Sequence, residues 1–294
     1  MIKTNKFSNL KRLNFKNKYS VILFFFKTVL KIKPSQKQID FYFFYNELIR
    51  LNGYIIIDTS DYYILDFRNN FNKTIKLRKR PSSDMDVFKQ IYGFGEYFSV
   101  VKKYNENFIN VEGYHLNIID AGANIGLTSL FFLEHFNQPN IICVEPEQKN
   151  FSILDFNLNS SLDKVVKVNG AIWNSNSKIK IVKDFRDQLD WSFRVEETNE
   201  SDGIQAFSIN QLVKDNNLKI IDILKIDIEG SEKQIFNTKT SDLNFLKITK
   251  CISLEIHDEF NCREDIYKVF LDYGFSITNI GESTIGINKN LISF

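Results

Sequence analysis

The sequence predicts an α/β fold whose sheet is mostly parallel and ends in an antiparallel hairpin, and three observations carry that prediction. From about residue 115 apolar strand-like runs alternate with amphipathic helical stretches, the pattern of a parallel sheet with helices on both faces. A glycine turn, D-A-G-A-N-I-G at 120–126, joins the first of these strands to its helix. At the other end, residues 275–280 and 284–288 are joined by Gly281-Glu282-Ser283, a short turn that suggests a hairpin.

The elements follow in order. Residues 36–51 read as a helix, and 53–58, 62–68 and 73–79 as short strands. Together with the stretch to residue 114 they form an α/β cap region rather than an independent domain, and 115–294 form the main domain. Strands are predicted at 116–120, 140–145, 165–169, 178–183, 221–227, 250–256, 275–280 and 283–288. Helices are predicted at 124–136, 147–158, 208–215, 231–238 and 262–273; Leu127, Leu130, Phe131 and Leu133 supply the apolar positions of the first.

At 294 residues, 43% hydrophobic and 25% charged, the chain has the composition of a globular protein with one large domain and an accessory region. Its net charge of +2 hides an asymmetry: residues 1–39 hold ten Lys or Arg and no acid, so the rest is net acidic. That segment reads as a solvated basic arm at 1–35 or as a contact for anionic lipid or nucleic acid. Within it, the apolar run from Val21 is interrupted by Lys27 and Lys31. It falls short of the roughly 20 residues of a membrane span and has no small-residue cleavage site after it. An amphipathic helix, packed on the protein or on a membrane surface, suits it better. Cys143, Cys251 and Cys262 make no zinc spacing and read as buried thiols of a cytoplasmic protein.

The chemistry begins at the glycine turn. Asp120 sits at a strand tip two residues ahead of Gly122, and Asn124-Ile125-Gly126 opens the helix. A glycine turn there lets a nucleotide approach the backbone. A carboxylate at that place would crowd a pyrophosphate but welcome an amine or a sulfonium, which points to S-adenosylmethionine (SAM). Glu145 ends the next strand and is placed to accept both hydroxyls of a ribose, although it also fits a plain acid ahead of a helix. Gly170 and Ala171 follow the third strand and are small enough for an adenine ring to lie against the backbone.

Residues 221–232, I-D-I-L-K-I-D-I-E-G-S-E, deliver Asp227, Glu229 and Glu232 at the tip of an apolar strand, on the edge that faces a ligand crevice. Glu232 reads as an ordinary first-turn acid favoured by the helix dipole. The next strand repeats the pattern with Glu255, His257 and Asp258 at its tip, and His257 suits a general base, a substrate contact or a structural role. Asp227, Glu229 and Glu255 have the chemistry for a divalent cation, but no spacing demands one, so no metal is predicted.

The combination of 120–126, V-E-P at 144–146 and L-K-I-D-I-E-G-S-E at 224–232 resembles the FkbM-type methyltransferases, SAM-dependent enzymes that mainly O-methylate hydroxyls of sugars and other natural products. Residues 77–92 with Gly95-Glu96-Tyr97 resemble the region that precedes the fold in that family, so the likeness covers roughly 75–290. It implies a Rossmann-like class I methyltransferase. Asp120, Gly122, Ala123, Asn124 and Gly126 would hold the methionine part of SAM, Glu145 its ribose, and Asp227 would stand beside the reactive methyl. Ser208-Ile209-Asn210 departs from the family pattern by carrying Asn at its third position.

On this view the reaction is in-line methyl transfer to an oxygen of a glycan or small-molecule acceptor. Asp227 or His257 would be the base, Glu229 would orient acceptor hydroxyls, and the stretch 183–203 with Trp191, Phe193 and Arg194 would form a lid or a plain loop. A nucleic-acid methyltransferase is disfavoured by the lack of a D-P-P-Y-like or N-P-P-Y-like motif, and a dinucleotide oxidoreductase by Asp120. A non-catalytic binding module is the remaining alternative.

Overall fold

A computed structural model describes residues 8–67, 74–108, 112–161, 163–182, 194–198, 203–228 and 231–292. The chain divides into two compact units, Met1–Phe94 and Gly95–Phe294. No described helix is long and apolar enough to cross a membrane.

In the first unit, α1 (Phe15–Val29) and α2 (Gln36–Arg50) precede an antiparallel sheet of β1 (Tyr54–Asp58), β2 (Tyr62–Asp66) and β3 (Thr74–Arg78), followed by the short α3 (Asp84–Phe88). Asn14 caps α1 by accepting the Asn17 N–H at 2.9 Å, and Ser35 with Gln38 forms a capping box on α2. One face of α1 is tied down: Val21 is buried, Phe24 stacks on Tyr42 of α2 at 4.2 Å, and Asn17 donates to Asp58 at 2.7 Å.

The second unit opens with α4 (Phe98–Asn107), whose residues the sequence reading assigns to the cap region. Then come β4 (Asn117–Ala121), α5 (Leu127–His135), β5 (Asn140–Glu145), α6 (Gln148–Asn157), β6 (Val165–Asn169), β7 (Ala171–Ile172), β8 (Ser177–Val182), β9 (Arg194–Glu197), β10 (Ile204–Phe207) and α7 (Ile209–Asp215). The unit finishes with β11 (Ile221–Ile226), α8 (Glu232–Ile235), β12 (Thr249–Glu255), α9 (Arg263–Asp272), β13 (Phe275–Ile280) and β14 (Ser283–Asn288). The main sheet has seven strands in the order β13-β14-β12-β11-β4-β5-β6. β6, β5, β4, β11 and β12 pair in parallel, while β14 pairs antiparallel with both β12 and β13. This is the predicted parallel sheet with its closing hairpin. β4 and β11 are buried almost throughout, as strands covered on both faces are.

A second sheet, β7-β10-β8-β9, was not anticipated. Of the segment read as a lid or loop, Arg194 starts β9, whereas Trp191 and Phe193 lie outside the described residues. At the amino ends of the parallel strands Asp222, fully buried, accepts from the Tyr104 hydroxyl (2.7 Å), the Tyr114 hydroxyl (2.8 Å), the Asn117 N–H (2.8 Å) and Lys250 Nζ (2.8 Å). These four donors satisfy the buried carboxylate, and the Tyr104 bond ties α4 to the sheet.

Candidate active site at the strand tips

The carboxyl ends of β4, β5, β11 and β12 converge on the glycine turn. β4 stops at Ala121, and the N–H groups of Gly122 and Ala123 both donate to Val144 O, at 3.0 and 2.9 Å. Gly122 has φ +77°, and a Cβ there would lie 1.7 Å from the backbone oxygen of Asp227. Only glycine fits this turn. Asn124 takes a left-handed φ of 49°, a conformation Asn tolerates. Gly126, at φ +81°, starts α5, where a Cβ would press on Leu158 and Leu154 at 3.1–3.3 Å.

Asp120 does not face the crevice. It is fully buried; Ser129 Oγ donates to its Oδ2 at 2.6 Å, and Lys225 Nζ lies 3.2 Å from Oδ1, inside ion-pair range but without hydrogen-bond geometry. The strand register explains the pairing, because Asp120 and Lys225 stand opposite each other on β4 and β11. Lys225 also donates to Gly122 O at 2.6 Å and lies 3.7 Å from Asp227. Burial depresses the lysine, but Asp120 and Asp227 outweigh it and hold its pKa above the ordinary value. Asp120 is thus linked to the turn through Lys225.

Glu145 is in place at the tip of β5. Its Oε2 accepts the Asn124 N–H at 2.9 Å and its Oε1 the Glu147 N–H at 3.0 Å. Burial pushes its carboxyl up to about 7, against the lowering effect of those bonds. The small residues after β6 have a packing reason. A Cβ on Gly170 would meet Gln205 O and the Phe207 ring at 2.7 Å, and Ala171 is buried with Trp173, Ile179 and Ala206 in the second sheet. Ser208, not Asn210, caps α7; the Asn210 amide donates to Asp242 O at 2.8 Å.

The tips of β11 and β12 bring Asp227, Glu255 and His257 together, with one ligand atom from each lying within 4.8 Å of the others. That spacing lets one proton, one acceptor hydroxyl or one divalent cation be shared among them. His257 is buried, its Nδ1 is 2.9 Å from Glu232 Oε1 and its Nε2 is 3.7 Å from Glu255. Glu232 is therefore no mere first-turn acid: it is fully buried and fixes the imidazole. Asp258 departs from the cluster and takes a bidentate pair with Arg263, at 2.6 and 2.9 Å. Glu229 lies outside the described residues.

Three participants escaped the sequence reading as site residues. Glu96, ahead of α4, has its carboxyl raised to about 7, first by burial and then by Asp227. Beside it the buried Tyr97 hydroxyl has its pKa raised, first by burial and then by the charges of Glu96, Asp227, Asp120 and Glu255. Lys225 is the third. Its one visible signal was a lysine inside an otherwise apolar strand, flanked by two acids, Asp222 and Asp227. A cavity of about 240 Å³, lined by Tyr114, Leu116, His135, Phe136 and Asn137, sits at the opposite end of β4 from this cluster.

Several known proteins are similar to this chain. Methyltransferase sdnD of Sordaria araneosa is 25% identical over 193 residues, covering 55% of this chain and 74% of its own. Among solved structures, methyltransferase FkbM from Methylobacillus flagellatus aligns with 13% identity and a TM-score of 0.36, covering 68% of this chain and 54% of that one. This chain thus spans about half the length of that structure. The N-terminal domain of human METTL16, solved in complex with SAH, aligns with 13% identity and a TM-score of 0.42, over 75% of this chain and 77% of that one. The model of the methyltransferase FkbM domain matches residues 120–277, more than half of the chain. The chain belongs to the FkbM methyltransferase domain family.

Proposed function

We propose that this methyltransferase uses SAM and transfers its methyl group to a hydroxyl of a sugar or glycan. The observation that carries the reading is the contact between Gly122 and the Asp227 backbone, which sets the donor turn directly against the Asp227–Glu255–His257 cluster. The residues fit the donor on two counts. Gly122 leaves a turn open that any side chain would close, and Glu145 stands at the strand tip where a ribose would meet a carboxylate. Glu96, Asp227 and Glu255 also make this edge net negative with Lys225 as the cation among them, which suits a sulfonium.

When bound, SAM would supply an electrophilic methyl on a sulfonium whose charge is lost as the sulfur–carbon bond breaks and a neutral thioether leaves, so no large oxyanion hole is needed. The protein's task is alignment, water exclusion and removal of one proton. Asp227, about a third exposed, takes the proton of the acceptor hydroxyl. His257, buried between Glu232 and Glu255, holds the second carboxylate in place. Glu229 completes this reading as the group that orients acceptor hydroxyls. A cytoplasmic location belongs to the same reading, supported by three buried free thiols.

The test is incubation with methyl-labelled SAM and separated glycan, lipid and RNA fractions. Label in alkali-stable methyl ethers of the glycan fraction is expected. Binding of SAM with no label in glycan, or label in RNA instead, overturns the acceptor assignment; failure to bind SAM overturns the whole.

A further inference from the structure

The outer face of α1 carries an apolar stripe that the fold does not use. Phe15 is 86% exposed, Tyr19 62%, Ile22 49%, Phe26 60% and Val29 78%. Their spacing of four, three, four and three residues keeps them within about 40° of one line along a helix of 3.6 residues per turn. The opposite face, with Asn17, Val21 and Phe24, is the one packed on α2 and β1. Helix packing therefore leaves the stripe outward, and Leu30 and Ile32, each about half exposed, extend the apolar surface beyond the helix end.

The charge around the stripe chooses its partner. Residues 1–39 contain ten basic side chains and no acid. Lys16 and Lys18 flank the stripe on the helix, and Lys31 and Lys33 follow it; Lys16, Lys31 and Lys33 are exposed and Lys18 is partly so. Two copies packed stripe to stripe would bring these lysines together, with no acid in residues 1–39 to answer them. Nucleic acid would satisfy the lysines but leave five apolar side chains in water. An anionic bilayer satisfies both: the stripe enters the boundary between headgroups and acyl chains while the lysines reach back to phosphates and carboxylates.

We infer that α1 docks this protein on anionic membrane surfaces, lying in the plane of the interface with Phe15, Tyr19, Ile22, Phe26 and Val29 inserted. The inference stands apart from the methyl-transfer reading, since it rests on residues outside the strand-tip site.

The full chain is sedimented with vesicles of phosphatidylcholine alone and of phosphatidylcholine with phosphatidylserine. Binding is expected to the mixed vesicles and not to the neutral ones, and to fall steeply with added salt. The pair Phe15→Ser with Phe26→Ser removes exposed side chains, so its circular dichroism stays that of the parent while its partition onto mixed vesicles drops more than tenfold. Lys16→Glu with Lys31→Glu and Lys33→Glu gives a comparable loss. Equal binding of the serine variant, indifference to lipid charge, or a dimer in light scattering that the serine variant abolishes each overturns the inference. So does RNA binding of the parent with no binding to vesicles.

Discussion

Lys225 is the residue on which the site's geometry depends most, and Lys225→Met tests that. Methionine keeps the unbranched stem and removes the charge. The change leaves the Asp120 carboxylate fully buried with the Ser129 hydroxyl as its hydrogen-bond partner, and it strips the 2.6 Å bond from Gly122 O. Removing one partner of a buried pair costs about 3–5 kcal/mol, because an uncompensated charge stays behind. Against a total stability of about 5–15 kcal/mol, that is a large fraction. Urea unfolding followed by circular dichroism reads it directly. The double variant Asp120→Asn with Lys225→Met removes both charges, and it is expected to be at least ~2 kcal/mol more stable than the sum of the single effects predicts. A Lys225→Met variant within ~1 kcal/mol of the parent, or strict additivity in the cycle, refutes the coupling.

Gly122→Ala imposes a left-handed φ costing about 1 kcal/mol and forces the Asp227 carbonyl away from a 1.7 Å contact; calorimetry is expected to show SAM binding lost and the melting temperature lowered. Glu232→Ala takes the carboxylate partner from His257 and is expected to cost about 2 kcal/mol, with the methyl-transfer rate down at least tenfold and SAM affinity little changed. For Glu145 the folded value of about 7 lies above the ordinary 4.5. Between those pH values the folded chain binds a proton that the unfolded chain has released. The Glu145 contribution to the stability of the ligand-free protein therefore falls as pH rises from 4.5 to 7, by at most about 3 kcal/mol, and then levels. Melting curves across that range check it: Glu96, also raised to about 7, adds a trend of the same sign, so Glu145→Gln is expected to weaken the trend and leave the Glu96 part.

Much of the main sheet was legible because its signals are local. Apolar runs such as Ile118-Ile119 and Ile223-Leu224, cut by turns, need no tertiary partner to be recognised, and Ser35 or Ser208 marks a helix start by its own chemistry. The second sheet was not legible, since β7 is two residues long and finds its partner β10 only after more than thirty intervening residues. Site residues divided the same way. Gly122 and Glu145 announce themselves by position, whereas Glu232 looks like any acid in a first turn until burial and His257 are known. Asp120 is at the expected strand tip, but its pairing with Lys225 was not legible, because it depends on the register that sets β4 against β11.

The backbone contact at Gly122 also sets a dimensional tolerance. The glycine turn and the Asp227 tip are separated by about a hundred residues of chain, yet the β4–β11 ladder, the Asp227 N–H bond to Ala121 O and the close approach at Gly122 set them side by side. Errors in the intervening helices and loops therefore do not accumulate into the distance between the two reacting centres. For the transfer proposed above, where a misplacement of about 1 Å costs on the order of a hundredfold in rate, the missing Cβ of Gly122 would be part of that gauge.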